Sequence, residues 1–188
     1  LRLAGNIYTT IFRGVPELLI IYLIYFGGSS AVTSIGKWFG YDGFLGLPSF
    51  AAGALAVGII SGAYQAEVFR GAYLAISKGE LEAASAIGMH RGLRLRRIII
   101  PQVIRYAIPG LGNVWQLSLK DSALISVTGL AELMRTSQVA AGSTRQYFLF
   151  FIAGGILYLI LTSLSDRIFN RAERRANRSM PAATIGQA

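Results

Sequence analysis

Long uncharged stretches alternate with short charged ones along the chain. The clearest uncharged stretch runs from Tyr147 to Ser165, nineteen residues without Asp, Glu, Lys or Arg. A helix rises about 1.5 Å per residue, so this stretch covers roughly 29 Å and matches a hydrocarbon core of about 30 Å. Three further stretches have a similar pattern, although the one near residues 106–128 is the least apolar. The pattern therefore predicts an all-α protein with four membrane spans, at about residues 14–28, 47–69, 106–128 and 147–166.

Composition supports a membrane protein. Of the 188 residues, 53% are hydrophobic and only 14% are charged, whereas about 25% of residues are charged in a typical soluble domain. The net charge of +9 is of the kind that nucleic-acid-binding domains carry, but here the basic residues flank apolar spans. There is no cysteine, which excludes disulfides and thiolate metal sites.

The placement of Lys and Arg predicts the topology, because cytoplasmic segments are enriched in basic residues. The segment 71–105 carries six of them and the segment 167–178 carries five. Two spans separate these segments, so both lie on one side, which we expect to be cytoplasmic. The charge-poor segments 28–48 and 129–146 are then extracytoplasmic loops. The region after the last span, 167–188, is predicted to be a basic cytoplasmic tail with a disordered end around Pro181.

The cytoplasmic segment 71–103 contains a short predicted helix. Its Glu and Ala residues favour a helix, and Gly88 suits the left-handed conformation that ends many helices. Leu81, Ala84, Ser85 and Gly88 fall on one face, since residues three and four apart are neighbours on a helix. This face is small enough to fit a groove on another protein. From periodicity alone, an ordinary loop that obeys the topology rule is an equally good interpretation.

The sequence of this segment resembles a known motif. Residues 82–101 read EAASAIGMHRGLRLRRIIIP, in which Glu-Ala-Ala, three residues, Gly, nine residues and Ile-x-Ile-Pro follow one another. This spacing resembles the EAA loop of bacterial ABC importer permeases. The segments FRGVPELLIIYLIYFG (12–27), GAYQAEVFRGAYLAISKGELEAASAIG (62–88) and RYAIPGLGNVWQLSLKDSALIS (105–126) also resemble polar amino-acid permeases, most of all the Q-type subunits for histidine, lysine, arginine, ornithine and opines.

The resemblance implies a type I ABC importer permease fold, a single transmembrane domain over residues 1–188, and a location in the bacterial inner membrane. Family members usually have one more span upstream, so five spans are expected in the intact subunit. The implied partners are a second permease subunit, identical or homologous, two cytoplasmic ATPase subunits and an extracytoplasmic solute-binding protein. The implied residues of the ATPase-coupling segment are Glu82, Ala83, Ala84, Gly88, Arg91 and Pro101.

Two acids lie at the ends of predicted spans, and each has two interpretations, because ionisable residues within a membrane are costly and often functional. Glu67 precedes Arg70 by three residues, which permits a structural ion pair. By resemblance, it is instead a ligand for a substrate amino group. Glu17 follows Pro16, where an acid favours a helix N-terminus. By resemblance to relatives that carry cationic amino acids, it instead selects guanidinium or ammonium groups.

Polar residues in the span near 106–128 are further candidates for the substrate pathway. Lys120 and Asp121 are adjacent and cannot share a helix face, so we expect one to pair with a neighbouring span and the other either to line the cavity or to stabilise the bundle. Asn113 and Gln116 lie one turn apart and are either substrate ligands or interhelical hydrogen-bond partners. The predicted residues of the substrate pathway are therefore Glu17, Glu67, Asn113, Gln116 and Lys120.

Other chemistries find little support. The sequence has no G-x-x-x-x-G-K-[ST] pattern for nucleotide phosphates, so we expect no cofactor in this chain and ATP bound by a partner. A single histidine, His90, is too few for a metal cluster or a catalytic triad. The predicted function is the permease subunit of an ABC importer for polar, cationic amino acids or opines. The alternatives are a neutral amino-acid cargo, or a secondary transporter or channel that works without an ATPase.

Overall fold

The computed structural model describes residues 2–177. These residues form nine α-helices joined by short π-helical and 3-10 turns, so the all-α fold is confirmed. The helices are α1 (Arg2–Gly14), α2 (Glu17–Tyr22), α3 (Gly28–Trp38), α4 (Ser49–Leu74), α5 (Lys78–Ala86), α6 (Arg91–Arg94), α7 (Ile100–Asp121), α8 (Leu133–Thr144) and α9 (Tyr147–Asn177).

Three helical stretches in the described residues are long and apolar enough to cross a membrane. They are Glu17–Trp38, which joins α2 and α3 through a π-helical turn, Ser49–Leu74 and Tyr147–Asn177. The predicted span at 106–128 is not among the three. It corresponds to most of α7 followed by a 3-10 helix, Ser122–Thr128. The membrane crossing of that segment stays a prediction.

The first span differs most from its predicted bounds. The helix begins at Glu17, directly after Pro16, and continues to Trp38, ten residues beyond the predicted end at 28. The prediction that Gly28–Trp38 is a loop was wrong. The Ser and Thr hydroxyls of this stretch bond to carbonyls one turn back, as Ser29 Oγ does to Tyr25 O (2.6 Å) and Thr33 Oγ1 does to Ser29 O (2.8 Å). Such bonds satisfy hydroxyl groups within a helix.

The other two spans are also longer than predicted. Helix α4 extends to Leu74 rather than 69, and α9 extends to Asn177 rather than 166. The first eleven residues of the predicted tail therefore continue the helix. The predicted disordered end around Pro181 lies outside the described residues. The predicted outer loop 129–146 contains α8, whose N-terminus is capped by Glu132 through its bonds to the backbone N–H groups of Met134 and Arg135.

The chain divides into two compact units. The first comprises residues 1–64 and 115–162. Its core is formed by Ile21, Ala56 and Ile125. Close approach of α4 to the 3-10 helix depends on Gly53, because a Cβ there would lie 2.4 Å from the Ile125 side chain. Two longer-range hydrogen bonds support this unit, from Tyr8 Oη to Ile59 O (2.6 Å) and from Ser49 Oγ to Thr128 O (2.9 Å).

After Trp38 the chain turns back over its own helix. Gly40, at φ +80°, ends α3, and residues 39–48, which we call the return segment, run back along it. The amide of Leu45 donates to Thr33 Oγ1 (3.1 Å) and that of Leu47 donates to Ser29 Oγ (3.0 Å). The side chains of these two leucines lie over Gly36 and Gly28, where a Cβ would come within 2.4 and 2.6 Å of them.

The second unit comprises residues 65–114 and the described residues from 163 onwards. It contains helices α5 and α6, and small residues on α7 allow close packing. A Cβ on Gly110 would lie 2.7 Å from Val68, and one on Gly112 would lie 3.2 Å from Phe169. This unit holds the whole of the segment that resembles the EAA loop.

Candidate functional site

Helix α5 is the first helix that lies wholly within residues 71–103, the segment predicted to couple to the ATPase, which we call the coupling segment. It spans Lys78–Ala86 and ends in a Schellman motif, in which Gly88 (φ +78°) donates to Ser85 O and Met89 donates to Ala84 O, both at 3.0 Å. The predicted left-handed cap at Gly88 is therefore confirmed. Of the predicted coupling residues on this helix, Glu82 and Ala83 are exposed, whereas Ala84 is only 4% exposed.

The burial of Ala84 changes the predicted docking face. Leu81 is half-buried, and only Ser85 and Gly88 of the small-residue face are open. Ala84 thus packs within the chain itself. A groove of about 380 Å³ lies alongside, lined by Lys78, Leu81, Glu82, Ser85 and Arg94. Ile87, which directly follows the last residue of α5, adds a large apolar side chain that is 77% exposed.

Polar side chains from the following helices hold α5 in place. The guanidinium of Arg94 donates to Ser85 Oγ, and the side-chain amide of Gln102 donates to the Glu80 carboxylate. His90 caps α6, since its Nδ1 accepts a hydrogen bond from the Leu93 amide (3.2 Å). These contacts join the two ends of the coupling segment to each other.

The end of the segment leads directly into α7. Arg91 is the exposed first residue of α6, and Pro101 is the second residue of α7. Between them, Leu95–Ile99 form a π-helical turn. A proline ring clashes with the carbonyl four residues earlier in a regular α-helix, and a wider turn just before Pro101 relieves that clash. The backbone is therefore helical from Arg91 to Asp121 without a break.

In the first unit, charged and polar groups gather around Tyr64. The carboxylate of Glu17, the first residue of α2, lies 3.5 Å from Tyr64 Oη. The guanidinium of Arg13 lies 5.5 Å from the centre of the Tyr64 ring, a cation–π contact. Asp121 is close enough to interact electrostatically with both Glu17 and Tyr64. We call Glu17, Tyr64 and Asp121 the acidic cluster.

Of the adjacent candidates Lys120 and Asp121, the prediction placed only Lys120 on the pathway. In the structure Lys120 is exposed and Asp121 is the residue that lies near Glu17. Only the packing of α2 against the 3-10 helix that follows Asp121 brings the two carboxylates together. Gln116 donates through Nε2 to the carbonyl of Thr162 on α9 (3.4 Å), which fits its predicted interhelical role.

The remaining pathway candidates belong to the second unit. Glu67 is engaged by Arg70, whose Nε lies 2.9 Å from the carboxylate, so the predicted i,i+3 ion pair is present. The side chain of Glu67 is 19% exposed and that of Arg70 is 62% exposed. Asn113 is exposed. Contact of any of these residues with a substrate stays a prediction.

The described residues contain three helices long enough to cross a membrane and, between the second and the third, a short capped helix, an architecture that fits a membrane permease. The chain belongs to the family of binding-protein-dependent transport system inner membrane components, whose family model matches residues 1–178. The predicted resemblance and the type I permease fold are confirmed. In this class ATP hydrolysis belongs to a separate ATPase subunit, so the alternative of a secondary transporter or channel is excluded.

Several relatives are similar over almost the whole chain. The octopine transport system permease protein OccQ of Rhizobium meliloti is 55% identical over 180 residues, which are 96% of this chain and 76% of that protein. The nopaline permease protein NocQ of Agrobacterium fabrum is 52% identical over 181 residues, 96% and 77% of the two chains. The histidine/lysine/arginine/ornithine permease protein HisQ of Escherichia coli is 42% identical over 177 residues, 93% and 77%.

A solved structure has the same fold. The crystal structure of an amino acid ABC transporter with histidines superposes with a TM-score of 0.77 and 35% identity, covering 92% of this chain and 75% of that one.

Proposed function

We propose that this permease subunit carries cationic amino acids or opines across the bacterial inner membrane as a multi-pass protein. The observation that carries this proposal is the acidic cluster, in which two carboxylates, Glu17 and Asp121, interact next to the hydroxyl of Tyr64. The relatives named for octopine, nopaline and for histidine, lysine, arginine and ornithine support a cargo of this kind.

The chemistry of the acidic cluster favours a cation. The two carboxylates repel each other electrostatically. Arg13, over the Tyr64 ring, offsets part of this negative charge, and a further guanidinium or ammonium group near the carboxylates reduces the repulsion more. Charge-assisted hydrogen bonds to a carboxylate are about twice as strong as neutral ones. A cationic side chain is therefore held more tightly here than a neutral one of the same size. Lys120 and Gln116, on the same helix as Asp121, are proposed to border the path of the substrate.

The proposed assembly has a second permease subunit, two ATPase subunits on the cytoplasmic side and an extracytoplasmic solute-binding protein. The coupling segment meets the ATPase through its exposed residues Glu82, Ala83, Gly88 and Arg91. Movement of α5 then passes into α7 through the unbroken helix that follows Arg91.

The experiment that tests the cargo compares Glu17→Gln with Asp42→Asn in the reconstituted full transporter. Asp42 is an exposed carboxylate in the return segment, so its variant matches the change of charge without touching the acidic cluster. We expect Glu17→Gln to lower uptake of arginine by about tenfold, which corresponds to a loss of about 1.4 kcal/mol of interaction. Asp42→Asn should take up arginine like the parent. Unchanged arginine uptake in Glu17→Gln would contradict a role of the acidic cluster in holding the cation, whereas a parent that takes up neutral amino acids and no arginine would support the neutral cargo.

A further inference from the structure

The end of the first span carries a group of large aromatic side chains that the chain leaves uncovered. Trp38 is 90% exposed, Phe39 86% and Phe44 76%, and Tyr41 is half exposed. All four lie within seven consecutive residues that end α3 and begin the return segment. Scattered exposed aromatics need no explanation, but a contiguous group of this size indicates a contact surface.

The backbone that presents these aromatic side chains is fixed. Leu45 and Leu47 are bonded to the hydroxyls of Thr33 and Ser29, and their side chains fill the space over two glycines of α3. Gly40 closes the turn, with the Tyr41 amide bonded to Gly36 O (3.1 Å). The aromatic group is thus presented by an ordered turn at the end of a helix, and forming a contact there requires little ordering of the chain.

The position of the group identifies its partner. Trp38 is the last residue of a helical stretch, Glu17–Trp38, that is long and apolar enough to cross a membrane. The outer surface of that stretch is largely open, so the aromatic group continues an exposed apolar surface. Trp and Tyr are enriched at the level of the lipid headgroups because their rings are amphipathic.

The few charges near the aromatic group favour a contact with lipid over a contact with a strongly charged protein. Within residues 37–46 the only charged residues are Lys37 and Asp42, one of each sign. A neutral surface gives no electrostatic steering toward an acidic or a basic protein. The long stem of Lys37, in the last turn of α3, suits a headgroup position because its ammonium reaches water while the methylenes stay in apolar surroundings.

We propose that Trp38, Phe39 and Phe44 insert into the headgroup region of the outer leaflet, so that the return segment is a lipid-anchored cap on the first span. This inference rests on the topology proposed above, in which residues 39–48 lie outside. The occupant is the bilayer, and not the solute-binding protein or a second copy of the permease.

The test uses fluorescent labels on single cysteines, since the chain has no cysteine of its own. Phe39→Cys and Asp42→Cys are each labelled with bimane in the complete transporter, reconstituted in phosphatidylcholine nanodiscs. The same transporter without an added cysteine supplies the background. Some of the lipid carries a nitroxide quencher, either near the headgroup or near the end of the acyl chain.

We expect the label at position 39 to lose most of its fluorescence with the shallow quencher and little with the deep one. The label at position 42 should be quenched chiefly by aqueous iodide. Three results would overturn the proposal. They are a label at 39 that iodide quenches freely, one that is shielded from iodide only after the solute-binding protein is added, and one that neither lipid nor water quenches, as a protein–protein contact requires.

Arginine uptake by the same transporter in vesicles separates this inference from the proposed cargo. Shallow quenching without arginine uptake would leave the lipid anchor standing and contradict the cargo. Normal arginine uptake with a water-exposed label at position 39 would support the cargo and contradict the lipid anchor.

Discussion

The side chain of Leu47 occupies the space over Gly28 that a Cβ would need, its Cδ1 lying 2.6 Å from that position. The same arrangement recurs deeper in the protein, where Ile125 occupies the space over Gly53. The two sites differ in how freely the neighbour can move. Leu47 belongs to a loop and presents the tip of a flexible side chain, whereas Ile125 is buried and presents three of its atoms.

We expect Gly53→Ala to destabilise the protein by about 1–3 kcal/mol, the usual effect of overpacking a well-packed core. Gly58→Ala, on the same helix, meets nothing within 4 Å, and should be neutral or stabilising by up to about 1 kcal/mol because alanine favours helices. Gly28→Ala should fall between them. Thermal unfolding in detergent, followed by tryptophan fluorescence, measures all three. Equal melting temperatures for Gly53→Ala and Gly58→Ala would show that Ile125 yields easily.

A second prediction concerns the ATPase-docking role of α5. Gly88→Asp places a charge and a larger side chain at the exposed end of the helix, and Asp tolerates the left-handed conformation better than most residues. We expect the variant to insert in the membrane but to co-purify with much less ATPase than the parent. Gly129→Asp is the matched control, because Gly129 has a similar φ of +85° and open surroundings on the predicted outer side. Equal retention of the ATPase by both variants would contradict docking at Gly88.

A third prediction addresses the contact that joins α5 to α7. Gln102→Leu removes the hydrogen bond to the carboxylate of Glu80, and a bond to a charged group contributes about 1.5–3 kcal/mol. Because this contact fixes the coupling helix to the helix that leads to Asp121, we expect less amino acid moved per ATP hydrolysed, with the ATPase still bound. Uptake and phosphate release in the same proteoliposomes give this ratio.

The exchange Glu80→Gln with Gln102→Glu supplies the control. It reverses the donor and the acceptor and keeps one hydrogen bond, so the ratio should recover toward that of the parent. A ratio that Gln102→Leu leaves unchanged would mean that the contact has no part in coupling.

The fourth prediction separates the two interpretations of Glu67. Its ion pair with Arg70 is partly exposed, and pairs of that kind contribute about 0–1 kcal/mol. If the role of Glu67 is structural, Glu67→Gln and Arg70→Gln should each lower thermal stability, and arginine uptake per folded transporter should be alike in both. A selective loss of uptake in Glu67→Gln would instead support contact with substrate.

The sequence was sufficient for features that depend on local chemistry. The EAA spacing and Gly88 gave the coupling helix and its cap, and the uncharged run from Tyr147 gave the start of α9. Residues 28–38 were wrongly assigned to a loop, because composition does not reveal that hydroxyls such as those of Ser29 and Thr33 bond to carbonyls within a helix. The closeness of Glu17 and Asp121 depends on packing between residues more than a hundred positions apart, and no local pattern reports it.

The hydrogen bonds of the return segment also bear on the order in which the chain acquires its structure. They join residues only 12 and 18 positions apart, whereas the bonds from Tyr8 to Ile59 and from Ser49 to Thr128 close loops of 51 and 79 residues. Short loops close sooner, since less chain entropy is lost. We therefore expect the return segment to close against α3 before α7 is synthesised, so that the later helices assemble against an end of the first span that has already formed.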